Sequence, residues 1–321
     1  MKAQTISIIG LGRTGASIGM ALTASNINVS VIGHDRDSDA ADQAEKAGAI
    51  ERKHWRLVQA ASDGDIVIIA VPDEELESTL QAIGQDVKDH ALILNLSHLK
   101  GPAQRWADEY LERGHYIGAA AVLSAGALAD GTPGIAGATA DLFRNSILCL
   151  MPSPKADPQA VETAVNLGTV LGAKPFFLDA AEYDNLMLGV ETIPGLLAAA
   201  LFGAVTERSG WRDMLRFANL AFAQATLPLR EDEALAMRAL NDRQATLNWL
   251  DDLIVSLQSL RRRVAEDDFE QLAAYLQKLS IQRDRWLLER RENQWDETPQ
   301  QDFERPGFLT QMLGRRGGAD N

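Results

Sequence analysis

The stretch Thr5-Ile6-Ser7-Ile8-Ile9-Gly10-Leu11-Gly12-Arg13-Thr14-Gly15 decides how the first half of this chain is read. A β-branched apolar run ends in three glycines, and residues 16–24 continue with small and apolar side chains at helical spacing. Gly10 permits a tight turn, Gly12 lets backbone approach a pyrophosphate, and Gly15 lets the helix pack close to its strand. The first turn of that helix offers free N–H groups and a positive dipole end to an anion. Twenty residues after Gly15, Asp35 ends a second strand-like run, the spacing at which a carboxylate meets adenosine ribose hydroxyls. Gly10, Gly12, Arg13, Thr14, Gly15 and Asp35 are therefore candidates for binding a dinucleotide. Asp35 favours NAD, whereas Arg36 beside it suits a 2′-phosphate, so NADP stays open as the alternative. Val71 and Pro72 end a further strand, 66–71, at the edge where such folds lay the cofactor.

Working outward, strand-like runs at 5–9, 28–32, 66–71, 92–96, 116–119, 147–151 and 174–178 alternate with helical patterns. The helical patterns lie at 16–24, 40–47, 74–83, 102–113 and 158–171. Continuous apolar strands joined by helices predict an α/β, Rossmann-like, doubly wound parallel sheet covered on both faces. From Ala180 the strand signal stops, and helical periodicity runs to about Asn293 through long stretches at 232–264 and 267–291. The expected organisation is a dinucleotide-binding domain over 1–179, an all-helical domain over 180–293, and a loose tail over 294–321. Phe303, Phe308, Leu309, Met312 and Leu313 suit docking of that tail on the body or a partner.

The composition narrows the function classes. The chain has 321 residues, a net charge of −14, 46% hydrophobic and 24% charged residues, a balance that excludes a disordered or collagenous chain. Net acidity argues against a nucleic-acid partner. A single cysteine, Cys149, excludes a disulfide framework and suits a cytoplasmic location. Residues 1–5 run straight into a strand, so no signal peptide is expected. The longest apolar run, 193–205, has 13 residues between Glu191 and Glu207, short of the ~20 a membrane span needs. It reads as a core or subunit-interface helix, with no membrane partner. His34, His54, His90 and His115 lack companions at metal-ligand spacing, so no metal site is expected. The arginines at 261–263 and at 283, 285, 290 and 291 alternate with carboxylates and read as a solvated, ion-paired helix face.

Several segments in order resemble the prephenate/arogenate dehydrogenase family of tyrosine biosynthesis. Gly10-Leu11-Gly12-Arg13-Thr14-Gly15-Ala16-Ser17-Ile18-Gly19 is similar to its first loop and helix, Gly33-His34-Asp35-Arg36-Asp37 to its second strand end, and Asp65-Ile66-Val67-Ile68-Ile69-Ala70-Val71-Pro72 to a later strand. Asn95-Leu96-Ser97-His98-Leu99-Lys100-Gly101 sits where the family has an Asp-x-x-Ser-x-Lys turn, and Ile193-Pro194 keeps the end of its Ser-His-Leu-Pro motif. Trp211-Arg212-Asp213-Met214-Leu215-Arg216 resembles its Phe-Arg-Asp-x-x-Arg motif, and Asn241 falls at a later family Asn.

The resemblance implies a Rossmann-like N-terminal domain, a dimer-forming helical C-terminal domain, and oxidative decarboxylation of a cyclohexadienol. It also implies a carboxylate substrate held by Arg216, with Arg212 and Ser124 as further substrate-binding candidates, and Lys100 as a catalytic candidate. Two family histidines are replaced: their positions fall at Ala120, in Ala120-Ala121-Val122-Leu123-Ser124, and at Thr192. The family's serine position falls at His98, or at Ser97 if the register slips by one.

His98 lies at the C-terminal mouth of a central strand, where open α/β sheets place ligands. It is read either as the group that polarises a substrate hydroxyl, which makes it a catalytic candidate, or as a cap for the helix near Pro102. Arg212 and Arg216 share a helix face and suit a carboxylate, or pair with Glu207, Asp213 or a neighbouring subunit. Glu191, in an apolar helix, is expected to pair with Arg212 or Arg216. Three functions stay open: an NAD(P)-dependent dehydrogenase of the prephenate type, a related oxidoreductase for a less polar substrate, and a non-catalytic dinucleotide-binding dimer.

Overall fold

The computed structural model describes residues 5–293 apart from Asn26 and Glu231. The tail over 294–321, with its docking candidates, lies outside the described residues. Eight strands form one sheet: β1 (Thr5–Ile9), β2 (Ser30–His34), β3 (Arg52–Lys53), β4 (Ile66–Ile69), β5 (Leu92–Asn95), β6 (His115–Ala121), β7 (Ile147–Pro152) and β8 (Lys174–Phe177). Their spatial order is β3-β2-β1-β4-β5-β6-β7-β8. Helices α1 (Arg13–Ala24), α2 (Ser38–Lys46), α3 (Leu57–Asp63), α4 (Asp73–Ile83), α5 (Gly101–Tyr110) and α6 (Pro158–Val170) make the crossovers.

Side chains on successive strand residues point to opposite faces, and the core divides accordingly. Ile6, Ile8, Ile66, Ile68, Leu92 and Leu94 pack on one face with Ile18 and Leu22 of α1 and Ala160 and Ala164 of α6. Ile9, Val67, Ile69 and Ile93 take the other face with Leu76, Leu80 and Ile83 of α4. Leu76, Leu80 and Ile83 recur at helical spacing, and each buried aliphatic side chain contributes about 1.5–3 kcal/mol. Burial on both faces explains why β4 reads as an unbroken apolar run and β5 is apolar up to Asn95.

The expected parallel sheet needs one correction, because β6 and β7 pair antiparallel. Between them, residues 122–146 hold single helical turns at Ala125–Ala127 and Ile135–Gly137 in place of a crossover helix. A connection that leaves and re-enters at the same end of the sheet reverses the strand direction. The two-residue β3 and the short α3 carried too little periodicity to be read.

After β8 the described chain is helical: α7 (Ala180–Met187), α8 (Ile193–Thr206), α9 (Trp211–Phe217), α10 (Leu220–Thr226), α11 (Asp232–Asn241), α12 (Arg243–Ala265) and α13 (Phe269–Glu292). A π-turn, Leu188–Thr192, joins α7 and α8 into one helical segment. That segment, Ala180–Thr206, has 27 residues and contains an 18-residue window of mean hydropathy 1.7, so by length and composition it is able to cross a membrane. The apolar run over 193–205 forms its second half, and the first half carries Glu182, Asp184 and Glu191. The described residues divide into two compact units, one ending at Arg261 and the other beginning at Arg262. In the second, Arg285 pairs with Glu289 at 2.9 Å and Arg263 lies over Tyr275, in keeping with an ion-paired, solvated helix face.

Candidate active site

Gly10 takes a φ of +91°, in the left-handed region, and a Cβ there would stand 2.5 Å from the Ala70 carbonyl oxygen. A Cβ on Gly15 would meet the Gly10 oxygen at 1.9 Å, so loop and helix touch backbone to backbone. A Cβ on Gly12 would meet nothing within 4 Å, because open space lies above this part of the loop. No side chain caps α1, and its first turn carries no acidic residue. Its orphan amides are thus left to an external anion.

Asp35 closes the loop from β2. One carboxylate oxygen accepts the Leu11 N–H at 2.6 Å and the other the Asp37 N–H at 2.8 Å. The carboxylate stays half-exposed on a cavity of about 950 Å³. Of the residues singled out in the sequence, Gly10, Gly12, Thr14, Asp35, Arg36, Val71, Pro72 and His98 line this cavity and Gly15 does not. Arg36 reaches Glu75 at 3.0 Å.

Other candidates lie elsewhere. The Arg13 guanidinium donates to Gly137 O at 3.0 Å and Asp130 O at 2.6 Å, fastening the 122–146 connection to α1 and taking no part in the cavity wall. Ser124 donates its N–H to Leu142 O and is not part of the cavity wall. Arg212 lies over the Trp211 ring and Arg216 pairs with Asp213 at 3.6 Å; both are exposed on α9, and neither lines the cavity.

Lys100 is buried beneath the site, not at its surface. Its Nζ donates to the carbonyls of Asn95 (3.1 Å), Ala119 (2.7 Å) and Ser97. Burial lowers its pKa to about 8, against the attraction of Asp73 and Asp184. An ammonium has three N–H donors, and all three are used to pin the ends of β5 and β6. Asn95 donates to Ser97 Oγ at 2.9 Å and to the Tyr116 hydroxyl at 3.0 Å. Asp184 accepts the Lys100 and Gly101 N–H groups at 2.9 and 2.8 Å and caps α5 across 83–84 residues of sequence. The cap considered for His98 is thus made by Asp184, whose own carboxyl is pushed up by burial.

His98 stands at the cavity beside two residues that the sequence reading passed over, Asp73 and Arg238. Asp73 accepts the His98 backbone N–H at 2.7 Å, its Oδ2 lies 3.7 Å from His98 Nδ1, and Arg238 reaches the same oxygen at 3.1 Å. A signal for Arg238 existed: it falls four and three residues after the buried Ala234 and Leu235, on the inward face of α11. Asp73 was hidden among the acidic residues Asp73, Glu74 and Glu75 that begin α4. Ala120, at the family's histidine position, packs instead against the cluster of Cys149, Met151 and Tyr183, and Thr192 is buried. Among the described residues, no group of three or more His, Cys, Asp or Glu side chains is gathered as a metal site.

A glycine loop on a helix N-terminus, answered by a carboxylate at the end of the neighbouring strand, is how doubly wound sheets hold a dinucleotide. Fold and cavity together define a dinucleotide-binding protein. Residues 18–176 match the family model for the nucleotide-binding domain of prephenate dehydrogenase. The chain is 27% identical to the prephenate dehydrogenase of Bacillus subtilis, covering 88% of this chain and 76% of that protein. It is 23% identical to the cyclohexadienyl dehydrogenase of Zymomonas mobilis, covering 83% and 90%. Among solved structures, Aquifex aeolicus prephenate dehydrogenase in complex with hydroxyphenyl propionate and NAD+ superposes with a TM-score of 0.74 at 17% identity, over 88% of this chain and 98% of that one. The chain belongs to the prephenate/arogenate dehydrogenase family.

Proposed function

We propose that this protein is an NAD-dependent dehydrogenase that oxidises a cyclohexadienol carboxylate of the prephenate or arogenate kind, with loss of carbon dioxide. The observation that carries the reading is His98, which faces the same cavity as the glycine loop and Asp35 and has a buried carboxylate behind its Nδ1. The open space over Gly12 and the uncapped start of α1 fit a pyrophosphate. Asp35 keeps lone pairs for ribose hydroxyls, and Arg36 is engaged by Glu75, which favours NAD over NADP. When bound, the nicotinamide supplies a hydride acceptor. With Nδ1 towards Asp73, His98 has Nε2 free to accept the proton of the substrate hydroxyl as the carbinol carbon gives up its hydride. Release of carbon dioxide then makes the ring aromatic. His98 thereby takes over from the histidine that Ala120 replaces.

We assign residues 1–179 to the dinucleotide and 180–293 to contacts between two copies of the chain, in a cytoplasmic homodimer. Leu186, Val190, Leu197 and Leu201 are exposed along Ala180–Thr206, a segment that is apolar enough for a bilayer. Its first part is committed to the sheet domain through Asp184, which favours a second copy over lipid as the cover. The test is to incubate the purified protein with NAD or NADP and with prephenate or arogenate, following absorbance of the reduced nicotinamide. Turnover with NAD supports the reading. Tight dinucleotide binding without turnover on either substrate points to the non-catalytic alternative.

A further inference from the structure

Three elements that border the cavity meet on one side chain. Asp73 follows Pro72 at the start of α4, and its side chain is 1% exposed. Its Oδ1 accepts the N–H groups of His98 at 2.7 Å and Leu99 at 3.4 Å, so it holds the turn after β5. Its Oδ2 faces Arg238 of α11 at 3.1 Å and His98 Nδ1 at 3.7 Å. The His98 ring itself is 46% exposed, so packing alone does not fix its orientation.

We infer that Asp73 is the positioning residue for His98, holding Nδ1–H of the imidazole against its buried carboxylate so that Nε2 presents a lone pair to the cavity, while Arg238 secures the carboxylate. The inference rests on the reading of His98 as proton acceptor. A neutral imidazole has one N–H and one acceptor nitrogen, and an anion beside Nδ1 selects the tautomer with the proton there. Arg238 lies 3.1 Å from Oδ2, and its planar guanidinium fixes where that carboxylate oxygen sits. Lys100 lies beneath, with its three donors taken by carbonyls, and Asp232 and Glu233 of α11 border the same cavity. The 3.7 Å separation is longer than a hydrogen bond; such contacts are commonly loose in ligand-free enzymes and tighten around substrate.

The test uses the full chain and begins without ligand. Asp73→Asn keeps the oxygen that accepts the His98 amide but places an N–H donor opposite Nδ1, which drives the ring proton to Nε2. Long-range ¹H–¹⁵N NMR of the imidazoles reports the tautomer, with the His98 signal assigned by its loss in His98→Ala. The expected result is Nδ1–H in the wild type and Nε2–H in Asp73→Asn. In turnover, Asp73→Asn lowers kcat by about 10²-fold with the KM for dinucleotide unchanged, Asp73→Glu recovers part of the loss, and Asp73→Asn costs nothing further in a His98→Ala background. Should Asp73→Asn fail to fold with Arg238 left facing an amide, the Asp73→Asn/Arg238→Gln pair supplies an acceptor and carries the same tautomer test. An unchanged tautomer, or an equal loss of kcat with and without His98, overturns the inference. An unchanged kcat in His98→Ala overturns the underlying reading of His98 instead.

Discussion

Replacing Arg238 with methionine isolates the buried pair that joins α11 to α4. Asp73 and Arg238 side chains are 1% and 9% exposed and 3.1 Å apart. At an effective dielectric of about 20, two unit charges at that distance attract by about 5 kcal/mol. Desolvation opposes most of this gain, so the intact pair adds little net stability, but removing one partner leaves an uncompensated buried charge at about 3–5 kcal/mol. Asp73 retains the amides of His98 and Leu99 when the guanidinium is lost, which places the cost near the lower end, about 3 kcal/mol. The assay is urea unfolding at neutral pH on Arg238→Met, on Asp73→Asn and on the double variant. The single variants should each lose stability on this scale, and the double variant should lose less than their sum. A loss below about 1 kcal/mol in Arg238→Met, or strict additivity in the double variant, refutes the reasoning.

The glycine loop separates binding from folding. Gly12→Ala places a methyl in open space and should weaken dinucleotide binding, read by fluorescence titration, with little change in Tm, whereas Gly15→Ala meets the Gly10 oxygen and should lower Tm by several degrees. Glu75→Gln releases Arg36 and should improve NADP binding relative to NAD; the ratio of the two Kd values from the same titration checks this. Lys100 has a folded pKa of about 8 against an ordinary value of 10.5. Between those values the unfolded chain binds more protons, so the stability of the wild type relative to Lys100→Met should rise with pH across that window. Urea midpoints at pH values spanning it test the sign.

The cofactor half was legible because its constraints are local. Three glycines, a helix start and Asp35 are fixed by spacing along the chain, and each falls where its spacing implies. The reversal of β7 was not legible, because strand direction depends on whether a helix fills the connection, and residues 122–146 look like a loop in either case. Arg13 looked like a phosphate ligand from its place in the loop, yet a partner more than a hundred residues away claims its guanidinium. Lys100 was a catalytic candidate from the family's turn, and in the fold its buried ammonium pins two strand ends. Asp73, His98 and Arg238 come from three separated elements, and no local period links them. His98 could be singled out from its strand end, but its partners became visible only in the folded chain.

We propose turnover of a cyclohexadienol with NAD through His98. Its most direct test is the initial rate of nicotinamide reduction by wild type and His98→Ala, with prephenate and with arogenate, alongside the NAD Kd of each protein. The wild type should turn over one or both substrates, His98→Ala should lose about 10²-fold or more, and both proteins should have the same Kd. Equal rates in the two proteins, or no turnover by a wild type that binds NAD tightly, would contradict it.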